Sequence, residues 1–224
     1  SGPGEGLAWG DYDNDGDPDL AAGGQEVAGA YRLRIYRNDG GAFNLAQEPA
    51  GASGPGYTLA WGDFDNDGDL DLATAGYDAV GKRLRVYRND GGTFVLTQEP
   101  AGIVGPQNGV AWGDFDCDGD LDLAAGGDDG VGWRLRLYRN DGGTFNLAQE
   151  PGGATGPGVG LAWGDIDNDG DLDLAANGTD DNGSRLRVYK SLEAQYGTVN
   201  SSPTTPGALG VAFAADYKVR LTWT

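Results

Sequence analysis

The strongest constraint on this chain is a nine-residue segment, Asp-Phe-Asp-Asn-Asp-Gly-Asp-Leu-Asp at 63–71, which recurs with small changes from Asp11, Asp114 and Asp165. Each copy carries Asp at loop positions 1, 3, 5, 7 and 9. These are Asp11, Asp13, Asp15, Asp17 and Asp19, then Asp63, Asp65, Asp67, Asp69 and Asp71. The third and fourth copies supply Asp114, Asp116, Asp118, Asp120 and Asp122, and Asp165, Asp167, Asp169, Asp171 and Asp173. Position 6 is always glycine, the residue a tight turn with positive φ demands. Carboxylates this dense repel one another unless a cation neutralises them. Calcium is the hard cation that gathers about six to eight oxygens in a flexible shell, so alternate carboxylates on a curled segment suit it. The expected ligands in the second copy are the side chains of Asp63, Asp65, Asp67 and Asp71 with the backbone carbonyl of Asp69, and one ion per copy gives up to four. A merely solvated acidic loop gives no reason for the pattern to recur. An EF-hand fails because position 12 holds Ala22, Thr74, Ala125 and Ala176 instead of a bidentate Glu, and because the flanks alternate with the period of a strand.

The recurrence is longer than the loop. Trp9, Trp61, Trp112 and Trp163 are 52, 51 and 51 residues apart, and Tyr36, Tyr87, Tyr138 and Tyr189 are 51 apart throughout. In the second unit, Thr58–Phe64 reads as a first strand with Leu59 and Trp61 on one face and the small Ala60 and Gly62 on the other. The acidic loop turns the chain into a second strand, 70–74, and a glycine-containing connection leads to a third, 83–87. Asn89-Asp-Gly-Gly92 is a hairpin turn, and 93–97 follows as a fourth strand. Four short antiparallel strands per unit match a propeller blade, so the fold class is all-β with four β-propeller blades, at about 5–50, 51–101, 102–152 and 153–199. Blades bury their faces against their neighbours, which assigns Trp61 and Phe94 to the gaps between them. The Trp strand is expected nearest the axis. The opening Ser-Gly-Pro-Gly repeats Ser53–Gly56 as if the chain were cut in phase with its units, which favours an arc or fragment of a larger propeller over a closed ring.

Charge and composition narrow the function. A formal net charge of −20 does not suit nucleic-acid phosphates or an anionic membrane surface, and no run approaches the roughly 20 apolar residues of a span. The chain has no His, which rules out imidazole metal sites and Ser-His or Cys-His catalysis within it. Its one cysteine, Cys117, sits at loop position 4 where the other copies have Asn, and reads as a neutral substitution at a non-ligand position. Most of the Lys and Arg lie in the four Arg-x-Arg-x-Tyr-Arg/Lys strands. A basic ligand groove is one reading, but residues repeated in every blade are better explained by pairing with nearby acids. Glu48, Glu99 and Glu150 recur identically in Gln-Glu-Pro, which speaks for structure and against an asymmetric acid–base pair.

The Trp-Gly-Asp-x-Asp-x-Asp-Gly-Asp-x-Asp-Leu segment, followed by an Arg-Leu-x-Val-Tyr-x-Asn strand, resembles the FG-GAP or VCBS repeat, the blade of integrin-α-type β-propellers, over about residues 5–199. The resemblance implies calcium in the loop between the first two strands of each blade, an extracellular location, and a role in adhesion or ligand binding. Such propellers usually have seven or eight blades. Only four units are present, so self-association to complete a propeller is a further expectation. After the fourth unit, whose last strand is degenerate from Lys190 to Tyr196, 201–206 reads as a linker. Residues 207–224 hold two strand-like runs that either cover an open edge or resemble the start of a fibronectin type III domain.

The expected function is a non-enzymatic calcium-binding scaffold, secreted or at the cell surface, with a protein or glycan partner and neither nucleic acid nor membrane insertion. The alternatives are a carbohydrate-binding lectin and an accessory module of a secreted polysaccharide lyase or hydrolase. Partner contacts are expected where the units differ, in the connection between second and third strands. Tyr31, Lys82, Trp133 and Ser184 hold equivalent positions there, making Tyr31 and Trp133 the candidate contacts, with extended packing between blades as the competing role.

Overall fold

Alternation of apolar and polar residues at period two, broken by loops rich in Gly, Asp and Asn, leaves a chain like this only strands to form. The computed structural model describes residues 6–25, 30–51, 58–77, 81–101, 109–151, 160–180 and 183–191, and among them there are strands and no helix. The first sheet is β1 (Gly6–Gly10), β2 (Asp19–Gln25), β3 (Tyr31–Asp39) and β4 (Ala42–Gln47). The second is β5 (Thr58–Gly62), β6 (Asp71–Tyr77), β7 (Lys82–Asn89) and β8 (Phe94–Gln98). The third is β9 (Gly109–Gly113), β10 (Asp122–Asp128), β11 (Trp133–Asn140) and β12 (Phe145–Gln149). The fourth shows three strands, β13 (Gly160–Gly164), β14 (Asp173–Asp180) and β15 (Gly183–Tyr189). Each strand pairs antiparallel with the next, which is the meander of a propeller blade. The expected linker at 201–206, the runs within 207–224 and the degenerate strand beyond Ser191 lie outside the described residues.

Strand limits differ from the sequence reading in a consistent way. The first strand of the second unit stops at Gly62, because Asp63 and Phe64 already belong to the acidic loop, while the third runs on to Asn89. That extension sets up the hairpin. Asp90 and Thr93 exchange backbone hydrogen bonds around Gly91 and Gly92, whose φ values of 58° and 88° are those of a primed turn. Strict alternation along the third strand also hides a bulge, since the pairing of β7 with β8 slips between Val86 and Tyr87, as it does at the same place in β3 and β11.

Blades join through a repeated knob and seat. The indole of Trp61 donates from Nε1 to the Ala8 carbonyl of the preceding blade at 3.0 Å, and Trp112 does the same to Ala60 at 3.0 Å. Trp163 reaches Ala111 at 3.3 Å. Beneath each indole lies a glycine of the preceding blade: a Cβ on Gly10, Gly62 or Gly113 would stand 2.8, 2.6 or 2.7 Å from the Cδ1 of Trp61, Trp112 or Trp163. Only a residue without a side chain leaves room for the ring. Aromatics complete the joint, with Tyr12 stacked on Trp61 and edge-on to Phe94, and Phe64 stacked on Trp112 and edge-on to Phe145. Gln47 adds two hydrogen bonds of 2.8 Å to the backbone of Phe94 in the next blade. The aromatics assigned to the gaps between blades are there.

β1, β5, β9 and β13 touch in succession, so the Trp strand is the innermost of each blade. The row of blades is open. Trp9 on the first blade is 61% exposed, and Ile166, which replaces Tyr12 and Phe64 on the fourth, is 52% exposed.

The joint yields a direct test. Gly62→Ala forces a methyl against Trp112 and is expected to cost about 1–3 kcal/mol in a urea melt. Gly132→Ala, whose Cβ meets nothing within 4 Å and which lies outside every joint, is expected to leave the melt unchanged.

Candidate metal centre

Each acidic loop is curled by its own carboxylates. In the second blade Asp63 accepts the N–H groups of Asp67 and Gly68 at 3.1 and 3.0 Å, and Asp67 accepts that of Asp69 at 2.9 Å. The same bonds recur at Asp11 and Asp15, Asp114 and Asp118, and Asp165 and Asp169. Glycine at position 6 has φ near the 96° of Gly68 throughout, and position 4 is left-handed too, at 58° in Asn14, Asn66, Cys117 and Asn168. Two left-handed residues separated by one Asp turn the segment sharply enough to face its carboxylates inward.

Four groups result, Asp11, Asp13 and Asp15, then Asp63, Asp65 and Asp71, then Asp114, Asp116 and Asp122, and Asp165, Asp167 and Asp173. Within each, one carboxylate oxygen per residue lies within 4.8 Å of the others. The Asp13 and Asp116 Oδ1 atoms are buried without a hydrogen-bond partner among the described residues. Burial and then the charge of the neighbouring position-5 Asp raise the carboxyls of Asp65 and Asp116 above the usual aspartate range. Unpartnered carboxylate oxygens crowded together are what a dication satisfies, and the all-oxygen donor set with no His in the chain fits a hard ion such as calcium. Positions 1 and 3 of every loop, with Asp15 in the first and Asp71, Asp122 and Asp173 in the others, would hold it.

Position 9 has a second job that the sequence reading missed. Asp71 is fully buried, with Oδ2 accepting the N–H of Phe64 at 3.0 Å and Oδ1 that of Asn89 at 2.8 Å. Asp19, Asp122 and Asp173 bracket the loop to the end of the third strand in the same way. Burial pushes the Asp71 and Asp122 carboxyls up to about 7, against the pull of those N–H groups.

At position 7 the side chains leave the convergent group. Asp17 accepts the N–H of Gly40 at 2.9 Å, while Asp69 and Asp120 each accept the position-4 amide of the preceding blade, Asn14 and Asn66, at 2.9 Å. Asn14 also donates to the carbonyl of Gly68 at 3.2 Å. Position 4 is therefore a strut between successive loops, and the reading of Cys117 as a neutral substitution is corrected. Its thiol reaches Asp171 at 3.7 Å, a weak contact, and burial followed by the charges of Asp171 and Asp114 pushes the thiol up to about 11. Asn also tolerates the left-handed backbone better than Cys. Cys117→Asn is expected to raise stability by about 1 kcal/mol, seen as a higher melting temperature.

The fourth loop has an internal competitor. Lys190 stands where the other blades have Arg37, Arg88 and Arg139, which bind the turn residues Asp39, Asp90 and Asp141 at 3.0 Å. Lys190 instead bonds Asp167, a member of the convergent group.

The recurrent basic residues pair as expected. Arg34 and Arg85 bind Glu48 and Glu99 at 2.7 Å, and Arg136 binds Glu150. Arg85 also donates to the Gly51 carbonyl at 2.6 Å, tying the strand to the connection between blades. Tyr31 and Trp133 stand at the head of β3 and β11, opposite Gln25 and Asp128, on blades separated by the second, so they are not neighbours. Tyr31 packs against the core between the first and second blades, and Trp133 is half-buried. Of the other variable connections, residues 26–29, 78–80 and 181–182 lie outside the described residues. In the third blade Asp129 organises the connection by accepting the N–H groups of Val131 and Gly132 and pairing with Arg134 and Arg136 at 3.2 Å. Desolvation raises its carboxyl, but these donors outweigh it and bring it down to about 2.

A family model described as an FG-GAP-like repeat matches residues 11–74, 63–125 and 118–176. Each match begins within an acidic loop and ends in the strand after the next one. A search of curated proteins gives no match.

Proposed function

The chain belongs to the family of FG-GAP-like repeat proteins, and on that footing we propose that it is an extracellular calcium-binding β-propeller scaffold, non-enzymatic, that presents its variable connections to a protein or glycan partner. The observation that carries the calcium reading is the set of four carboxylate groups, with buried Asp13 and Asp116 oxygens that have no protein partner among the described residues. Among the described residues, Glu48, Glu99 and Glu150 pair with strand arginines and the loop aspartates curl their own loops, which supports a structural role for these carboxylates. Among the described residues, no helix is long and apolar enough to cross a membrane. Rigid blades with connections that differ from unit to unit are the usual arrangement for binding at loops. Asp129, with its four donors, gives the third connection a fixed shape beside the exposed Val131 and half-buried Trp133, which favours that connection over the one at Tyr31.

Calorimetric titration with calcium tests the reading. It is expected to find four sites, the fourth weakest because the Lys190 ammonium must leave Asp167, and Lys190→Ala is expected to bring that site toward the other three. No bound calcium would refute the assignment.

A further inference from the structure

The two ends of the blade row are the two halves of one joint. At each joint within the chain, the later blade contributes a Trp, joined by a Phe at the first two, and the earlier blade contributes an alanine carbonyl, a glycine seat and an aromatic from its acidic loop. The first blade's free face offers the later half. Trp9 and Phe43 are packed edge-on at 5.8 Å, and Trp9 and Leu7 are 61% and 67% exposed. Trp9 has no carbonyl partner among the described residues, whereas the Trp of every other blade has one. The fourth blade's free face offers the earlier half. Gly164 is the counterpart of Gly10, Gly62 and Gly113, yet it alone of the four has nothing within 4 Å of its Cβ position. Ala162 stands where Ala8, Ala60 and Ala111 accept an indole N–H, and Ile166 stands beside it, 52% exposed.

We propose that these faces join two copies of this chain head to tail, with Trp9 of each copy seated over Gly164 of the other and bonded to the Ala162 carbonyl. The occupant is specified by the molecule itself, since the joint between copies continues one it already makes three times. Apolar area this exposed on both faces, with a matching indole and seat, favours a like blade over an unrelated surface. Two joints related by a two-fold axis along the propeller axis would close a ring of eight blades from two sets of four, within the range of about 4 to 8 for propellers. This proposal does not rest on the calcium reading.

Sedimentation velocity on the full chain, in calcium and in chelator, tests it. The expected result is a species of twice the 23.2 kDa chain mass that dissociates on dilution. Trp9→Ala and Gly164→Val are each expected to return it to monomer with an unchanged circular dichroism spectrum, since among the described residues nothing packs on Gly164 and Trp9 is 61% exposed. Mixing the two variants pairs the intact Trp9 of one with the intact Gly164 of the other, and is expected to restore a weaker heterodimer. A wild-type chain that is monomeric at all concentrations overturns the proposal, as does a dimer indifferent to both substitutions. Mass that keeps growing with concentration would mean an open head-to-tail filament and would overturn the two-copy ring. A monomer destabilised by Trp223→Ala would put the chain's own last residues in the seat, and that too would overturn it.

Discussion

Removing calcium is expected to lower the melting temperature by about 5 to 20 °C. Extracellular calcium modules bind with dissociation constants of about 0.1 to 1 mM, so about 1 mM free calcium adds about 0.4 to 1.4 kcal/mol per site. Four sites give about 2 to 6 kcal/mol, against a typical total of about 5 to 15 kcal/mol, and each kcal/mol moves the midpoint of a chain this size by about 2 to 4 °C. Binding arithmetic leaves out a second term: without the ion, every loop keeps five aspartates whose mutual repulsion the fold must carry. Paired thermal melts in millimolar calcium and in chelator measure the sum. Superimposable curves would remove calcium from the account of this fold.

The second large effect separates two roles within a single loop. Asp122→Ala deletes the bracket that accepts Phe115 N–H at 2.9 Å and Asn140 N–H at 2.8 Å, leaving two buried donors unsatisfied. At about 1–3 kcal/mol for each, the expected loss is about 2–6 kcal/mol, in chelator as well as in calcium. Asp116→Ala removes a carboxylate whose buried Oδ1 has no hydrogen-bond partner among the described residues, so its cost is expected in calcium alone, and in chelator the relief of repulsion makes it neutral or slightly stabilising. Urea denaturation of both variants in both buffers gives the comparison. If Asp122→Ala loses stability only where calcium is present, its bracket contributes nothing to the fold beyond holding the ion.

Much of this architecture was legible because the repeat writes it four times. The 51-residue period of Trp and Tyr gave the blade, the Asn-Asp-Gly-Gly turn gave the hairpin, and Trp61 and Phe94 fell in the gap between blades as their periodicity required. The strut at position 4 was not legible. It joins residues more than fifty apart, such as Asn14 and Asp69, and nothing local distinguishes a left-handed Asn that reaches across to a neighbour from one that only turns the chain. Position 9 was hidden for the opposite reason. An Asp in an acidic loop reads as a ligand, and only burial shows that both of its oxygens also hold backbone N–H groups. Tyr31 and Trp133 shared a position within the unit, which sequence reveals, but lie on blades separated by another, which depends on the order of blades in space.

The knob-and-seat joint also bears on how such a chain can change in length. Every cut between blades exposes the same pair of surfaces, an indole on one side and a glycine-floored seat on the other, whichever cut is made. If one unit were lost in frame, the flanking blades would meet through a joint they already know how to make, and a duplicated unit would add one more of the same kind. Blade number is then only weakly tied to the residues inside a blade. Copy number can then change while each surviving interface stays intact.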